Sequence, residues 1–534
     1  MLKRSLTRRS ILKAAALTPP ALAAGSLPLP FMHGAHAAGT LKMGAWDHWV
    51  PGAGKELERI CREWAEKEKV ELIFDLITSN GDKDLLTLMA EGQAGAGHDI
   101  IGLRTWYVEA QKQRFVPVDD IVEPLIQKYG KVATASEYCG KIDGKWLAVP
   151  SSYASGELPP VARIDLMKQY AGIDIQKMYP APGMGAPDKE LQDNWTWDTF
   201  LKAAEACNKN GHPFALGLST CTDALNMAGS VFAAYGAFLV NAKGDVTVRT
   251  DATRQVLDWF KRLSKHLPEE VYAYDNASNN KALISGYSAL IMNPPSAYAV
   301  AKRDAPKVAE QLWAFHSPKG PNGRYDPSNP YFWGIWNFSK NIPAAKALLA
   351  HISQREIQEK LVTASVGFDV PPFASFMDFK IWEEEGPPKG TNYNYPSRDD
   401  AIPFLSGHPA PLKIGTQMYA QALLIKMIAM HTHQGRSVED AMSYAESEIE
   451  GYLRTYFEPP LTPTLSPQAG RGSPRRSRGQ VRGLNSHFTN NFMIASKCSS
   501  ASRRSSSSVR SCTGCGMKIR AGSVPSDFAC ASAP

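Results

Sequence analysis

The pattern of apolar and polar positions is sharpest near residue 41, and the body of the chain can be ordered from there. Residues 41–46, apolar but for Lys42, read as a buried strand. It opens into Asp47, His48 and Trp49, then a Gly-rich turn. Residues 55–68 predict a helix, with Leu57, Ile60, Cys61 and Trp64 on one face. Residues 70–76 predict a second strand, 83–91 a second helix and 99–103 a third strand. This β-α-β-α-β order predicts a mostly parallel sheet. Ligands of open α/β sheets bind beyond the carboxyl ends of the strands. The loop of Asp47, His48 and Trp49 is therefore expected to share a cleft with Arg104, Thr105 and Trp106 at the end of the third strand.

Further along, Asp143-Gly144 between strand-like residues signals a hairpin over 141–146. Helices are expected at 164–170, at 197–208 with Thr196 as N-cap, at 224–239, 253–267 and 344–353. Short strands are expected at 215–218 and 241–248, a further one at 288–292 ending in Asn293, and an aromatic one at 331–338. In that last strand Trp336 is out of phase with Tyr331 and Trp333, so it faces the other side. Residues 371–414 are rich in Pro and Gly with little periodicity. A single apolar helix is expected over 413–431. Ser437-Val438-Glu439-Asp440 opens a closing helix that runs to about Phe457.

With 534 residues, the chain is too long for one core. Its formal charge of +7 misleads. Residues 1–37 hold five basic residues and no acid, and 459–534 hold eleven basic residues and one acid. Subtracting the +5 and +10 of these ends from +7 leaves the body, 38–458, at −8. An acidic body argues against nucleic-acid binding. Thr7-Arg8-Arg9-Ser10 ahead of a weakly apolar segment reads as a twin-arginine export signal, and Ala35-His36-Ala37 as its cleavage chemistry, so 1–37 is expected to be removed and the protein to be periplasmic. Folded export invites a cofactor, but no cofactor motif is present. Of the body cysteines, Cys207 and Cys221 are close enough in sequence to bridge, and Cys61 reads as a buried thiol. From Pro459 the composition turns to Ser, Arg, Pro and Gly, so 459–534 is expected to be a disordered basic tail, read-through or frame-shifted sequence in origin.

Four stretches carry a family resemblance. His98-Asp99-Ile100-Ile101 is followed by Arg114-Phe115-Val116-Pro117-Val118-Asp119-Asp120. Trp195-Thr196-Trp197-Asp198-Thr199-Phe200 gives a Thr-Trp-Asp-x-Phe helix start. The other two are Ile284-Ser285-Gly286 running into Leu290-Ile291-Met292, and Gly435-Arg436-Ser437-Val438-Glu439-Asp440-Ala441. In order and spacing over about 40–457, these resemble the extracellular solute-binding proteins of ABC importers, in the carbohydrate-binding family that includes maltose-binding protein. The resemblance implies an α/β, two-lobed periplasmic-binding-protein fold of type II. It implies lobe one at 38–153 and 297–375, lobe two at 154–296 and 376–458, and a hinge between them. It implies no catalysis and no cofactor, a small-molecule, carbohydrate-like solute, a membrane permease as partner, and a monomer. The chain departs from the family in three places. No Trp follows Asn293, Tyr235-Gly236-Ala237 replaces a frequent Gly-Gly, and Val161–Asp165 replaces a Tyr-Asn. These leave the identity of the solute open.

Sugars are held by aromatic faces and by side chains that bond hydroxyls. The stacking candidates are Trp49, Trp106 and Trp333. The polar candidates are Asp47, Arg104, Ser152 and Asn293, with His48, Thr105, Tyr153 and Gly334 beside them. Arg104 has two readings, a bidentate clamp for a carboxylate or phosphate and a salt bridge at the cleft mouth. Trp64, Trp146 and Trp197 read as core. His431-Thr432-His433 lacks a third ligand, so no metal is expected. The competing reading is an exported glycan-acting enzyme with an acid pair in the same cleft. If 459–534 is appended sequence, intact mass spectrometry of the exported protein will show a chain that ends near Phe457; a stable full-length tail overturns that reading.

Overall fold

The computed structural model describes residues 39–457, so the signal segment and the basic tail lie outside the described residues. Strand β1 (Thr40–Trp46) leads within four residues into helix α1 (Pro51–Glu68). The helix starts earlier than the Gly-rich turn suggests. Pro51 presets the first helical turn, and Gly52 serves close packing, since a Cβ there would lie 2.8 Å from the Ala364 carbonyl. Strand β2 (Glu71–Ile77), helix α2 (Lys83–Ala94) and strand β3 (Ile100–Arg104) complete the opening unit. β1 pairs in parallel with both β2 and β3.

Beyond the hairpin at 141–146 come β4 (Val149–Glu157), β5 (Pro160–Arg163), α3 (Ile164–Ala171), α4 (Trp197–Lys209), α5 (Thr222–Ala234) and α6 (Asp251–Leu263). Then follow β6 (Leu290–Met292), α7 (Ser296–Asp304), β7 (Leu312–Ala314), β8 (Gly323–Ile335), α8 (Ile342–Ile352) and α9 (Arg355–Ala364). The chain continues through β9 (Ala401–Phe404), α10 (Leu412–Ala420), α11 (Leu423–Thr432) and α12 (Val438–Phe457). Strand β8 pairs antiparallel with β3 and β4 and parallel with β9. A separate three-stranded sheet runs β6-β5-β7.

Local chemistry accounts for the ends. Thr196 accepts from the Thr199 N–H as N-cap of α4, and Ser437 and Asp440 bond each other's backbone N–H at the start of α12. The expected helix at 413–431 is two helices, broken at Ala422 with φ 52°. The helix expected to reach residue 239 stops at Ala234. Residues 215–218 meet β6 through one hydrogen bond, from the Ala215 N–H to the Leu290 carbonyl, and form no ladder, and 241–248 holds one end of an isolated bridge, Val240 to Val246. The Pro-rich segment contributes β9, which the pattern does not reveal because Pro403 interrupts it.

Among the described residues two large apolar cores form, with two smaller clusters beside them. One gathers β1, α1, α8, α9 and the Phe368–Trp382 segment around Trp333 and Trp146. The other gathers α4, α5, α6, α11 and α12 around Trp197 and Trp259. Residues 297–314 pack with Val161, Leu283 and Ile291 on the three-stranded sheet. Cys207 points into the second core and Cys221 caps α5; both are free thiols, so the bridge that their spacing left open does not form.

Strands β4 and β8 run from one core toward the other, and buried charges lie under their pairing. Asp326 accepts from the Ser317 N–H at 2.8 Å and sits 2.8 Å from His316 Nδ1. Burial pushes its carboxyl up, but the imidazole and these bonds outweigh burial and hold it below the usual range. Arg324, 1% exposed, donates to the carbonyls of Ser317 and Gln192. Glu157 accepts from the N–H and hydroxyl of Ser397. Burial, reinforced by Asp326, pushes it up to about 8. The folded state therefore keeps a proton on Glu157 that the unfolded chain releases above about pH 4.3. Stability contributed at this site is present at acid pH and falls as pH rises from about 4.3 to 8. Glu157→Gln should flatten that fall, with a gain on the order of a few kcal/mol at pH 8, read from urea unfolding at pH 5, 6, 7 and 8.

Candidate functional site

The ends of β1 and β3, the middle of β8 and the segment after Gly367 open on one narrow cavity of about 70 Å³ that continues into solvent. Trp46, Trp49, Tyr331 and Phe368 give it an aromatic wall. The start of α5, the turn at Asn276 and the segment after β6 face that wall with Thr222, Asp223, Asn276, Asn293 and Ser296.

The aromatic wall is built by register. Tyr331 lies opposite Arg104 on β3 and Ser151 on β4, and Gly102 leaves room for its ring. Trp46 and Trp49 meet edge to face, with centroids 6.3 Å apart. Trp46 Nε1 is buried without a partner. The loop is pinned from behind: the Tyr153 hydroxyl donates to the Trp46 carbonyl at 2.6 Å, and His48 Nδ1 accepts from the Val50 N–H. That bond directs Nε2–H to Asp369, 3.0 Å away. Asp369 also accepts from the Ala154 N–H at 2.9 Å, and burial pushes its carboxyl up.

The polar wall is a chain of amides. Asn293 Nδ2 donates to Ser296 Oγ at 3.0 Å and contacts Asn280 Oδ1. Asn279 donates to Asp223 at 2.8 Å. Burial pushes the Asp223 carboxyl up to about 7, and Asn276 Oδ1 is buried without a partner.

Of the residues expected from sequence, Trp49, Arg104 and Asn293 meet at this cavity. The others do not line it. Trp106 is enclosed by Tyr138 and Tyr419. Trp333, 1% exposed, stacks on Tyr153 at 5.8 Å. Neither ring has a free face for the stacking expected of it. Ser152 is buried against Gln358, and Thr105 donates to Asn329 and the Pro330 carbonyl. His48 and Tyr153 act from beneath, as described. A Cβ at Gly334 would meet Phe115 at 2.8 Å, so this glycine serves packing. Asp47 is exposed and outside the lining. Arg104 forks onto Asp84, with Nε 2.7 Å from Oδ2. This is a salt bridge within one lobe, to the helix before β3. Trp64, Trp146 and Trp197 are buried in the cores.

Sequence reasoning missed Trp46, Tyr331, Phe368 and Asp223. For Tyr331 the signal was present: it shares a face with Trp333 and lies two residues nearer the strand's open end. Among the described residues, no group of three or more His, Cys, Asp or Glu is placed to hold a metal ion.

Comparisons with known proteins bear on this arrangement. No curated protein matches the chain. The fold is shared with maltose-bound MalE3 of T. maritima, at TM-score 0.62 and 16% identity over 77% of this chain and 99% of that one. It is shared with the GacH receptor of Streptomyces glaucescens, solved unliganded and with acarbose, at 0.59 and 18% over 78% and 99%. Lmo0181 of Listeria monocytogenes, an ABC substrate-binding protein in complex with cycloalternan, matches at 0.59 and 15% over 78% and 100%. The fold is thus the two-lobed periplasmic-binding-protein fold. Residues 35–386 match the family model described as bacterial extracellular solute-binding protein, and the chain belongs to that family.

Proposed function

We propose that this protein captures a carbohydrate-like solute, a sugar or polyol, in the cavity between its aromatic and amide walls and delivers it to the permease of an ABC importer. The observation that carries this reading is the pairing of the walls. Trp46, Trp49, Tyr331 and Phe368 offer faces to the apolar side of a ring, and Asn293, Asn276, Ser296 and Asp223 offer partners to its hydroxyls. The sugar-bound relatives of the same fold support it. Lobe one follows the core around Trp333 and lobe two the core around Trp259, and closure by hinge motion brings the walls onto the solute. The protein works as a monomer in the periplasm, reached by the twin-arginine route.

The enzyme reading finds less support. Glycoside hydrolysis uses two carboxyl groups at about 5–10 Å, and Asp223 is the one carboxylate among the described lining residues.

A thermal-shift screen of the purified exported protein tests the reading. A sugar or polyol should raise the melting temperature, because a ligand that binds only the folded state stabilises it. A shift with peptides or amino acids and none with any sugar or polyol overturns it. On the solute so found, calorimetry should show Trp49→Ala losing about tenfold or more in affinity, near 1.4 kcal/mol. Trp333→Phe should stay within about threefold, since the ring it replaces has no face in the cavity.

A further inference from the structure

The charges of the cavity do not balance. Its cation is Arg104, and the guanidinium is already engaged. Nε and Nη2 hold the two oxygens of Asp84 at 2.7 and 2.5 Å, and Nη1 reaches Asp82 at 3.4 Å. This fork is the geometry a ligand carboxylate or phosphate would need. Two aspartates on one arginine also leave that edge of the cavity negative. On the opposite wall Asp223 accepts its hydrogen bond from the neutral amide of Asn279. Among the described residues no Lys, Arg or His forms an ion pair with it, and Asp275 adds a like charge nearby. The buried acceptor Asn276 Oδ1 also lacks a donor. Facing these acceptors are the rings of Trp46, Trp49, Tyr331 and Phe368.

A carboxylate opposite aromatic faces is an environment for a cation. The ring faces attract positive charge, and the ion pair strengthens as water leaves the cavity. Neutral hydroxyls can donate to Asp223 but leave its charge uncompensated, and a sugar acid or phosphate would face Asp223 with no free cation to hold it.

Resting on the carbohydrate reading above, we propose that the solute carries a protonated amine that pairs with Asp223 against the aromatic wall, making it an amino sugar or amino polyol. The Asp223 carboxyl, which burial pushes up to about 7, then gains its charge across neutral pH. The groups that bear on it are Asp275 on its own wall, Cys221 and Tyr419 packed beside it, and Arg104 with Asp82 and Asp84 across the cavity.

The test is calorimetry on the full exported protein with matched probes: glucosamine against glucose and N-acetylglucosamine, glucamine against sorbitol, and spermidine as an amine without a ring. At least one amine-bearing sugar or polyol should bind about tenfold or more tighter than its neutral counterpart. Its preference should vanish in Asp223→Asn. In the unaltered protein, affinity for glucamine, whose amine stays protonated throughout, should rise from pH 5.5 to 8; this arm needs no variant to fold. Equal or tighter binding of the neutral counterparts, binding of no amine, or affinity for glucamine that is flat or falling with pH each overturns the proposal. Preferred glucose or sorbitol leaves the carbohydrate reading standing without the amine. Spermidine tighter than every sugar and polyol overturns the carbohydrate reading and keeps the cation.

Discussion

The register of β8 is the constraint on which the site depends. This one strand pairs with β3, β4 and β9, so it borders both cores and backs the cavity. Side chains alternate along a strand, and a slip of one residue exchanges its faces. In the observed register Tyr331 reaches the cavity beside Arg104, Trp333 stacks on Tyr153, and Phe332 and Trp336 enter a separate cluster behind the sheet. A slip would carry Phe332 to the cavity and push Trp333 away from its partner. The irregularity between Asn329 and Tyr331 marks where β8 changes from one part of its pairing with β4 to the other.

Buried ionisable groups, charged or protonated, hold that register in place. Asp326 and Arg324 on β8, Glu157 on β4 and Asp369 behind the first loop each lie under backbone that a purely apolar interior would leave free to shift. A buried ionic group is a costly way to gain stability, because desolvation opposes the attraction. What it adds is direction. Asp369 accepts from both His48 and the Ala154 N–H, tying the loop after β1 to a point on β4 where Ala154 itself has φ 66°. The aromatic wall and the strand that leads out of the first core are thereby fixed to each other.

The sequence disclosed the parts of this arrangement that rest on local periodicity. The opening β-α-β-α-β unit, the cap at Thr196 and the box at Ser437 follow from side chains a few residues apart. The convergence of Trp49, Arg104 and Asn293 followed from the rule that strand ends face the cleft. Depth was not legible. Trp106 and Trp333 look like Trp49 in sequence, and only long-range neighbours, Tyr419 for one and Tyr153 for the other, cover their faces. The partner of Arg104 was equally hidden, because Asp84 precedes it by twenty residues and the helix between them sets the distance, so its two readings, clamp and salt bridge, could not be told apart. Strand β9 escaped because its pairing, not its composition, makes it a strand.

The two walls of the cavity come from different cores, and this has an energetic consequence. A solute resting on Trp46 and Trp49 alone gains only from the aromatic wall. On the proposed function, the amide wall would add its bonds when Asn293 and Asp223 close to hydrogen-bond distance of the same molecule. A ligand shifts an equilibrium only by its difference in affinity between the states, so closure of the kind proposed would be driven by what the second wall contributes. Asp223, short of donors, and Asn276, with an unmet acceptor, are the groups with most to gain from an incoming donor. Selectivity should therefore lie with the amide wall, while the aromatic wall supplies adhesion that many ring-bearing solutes share.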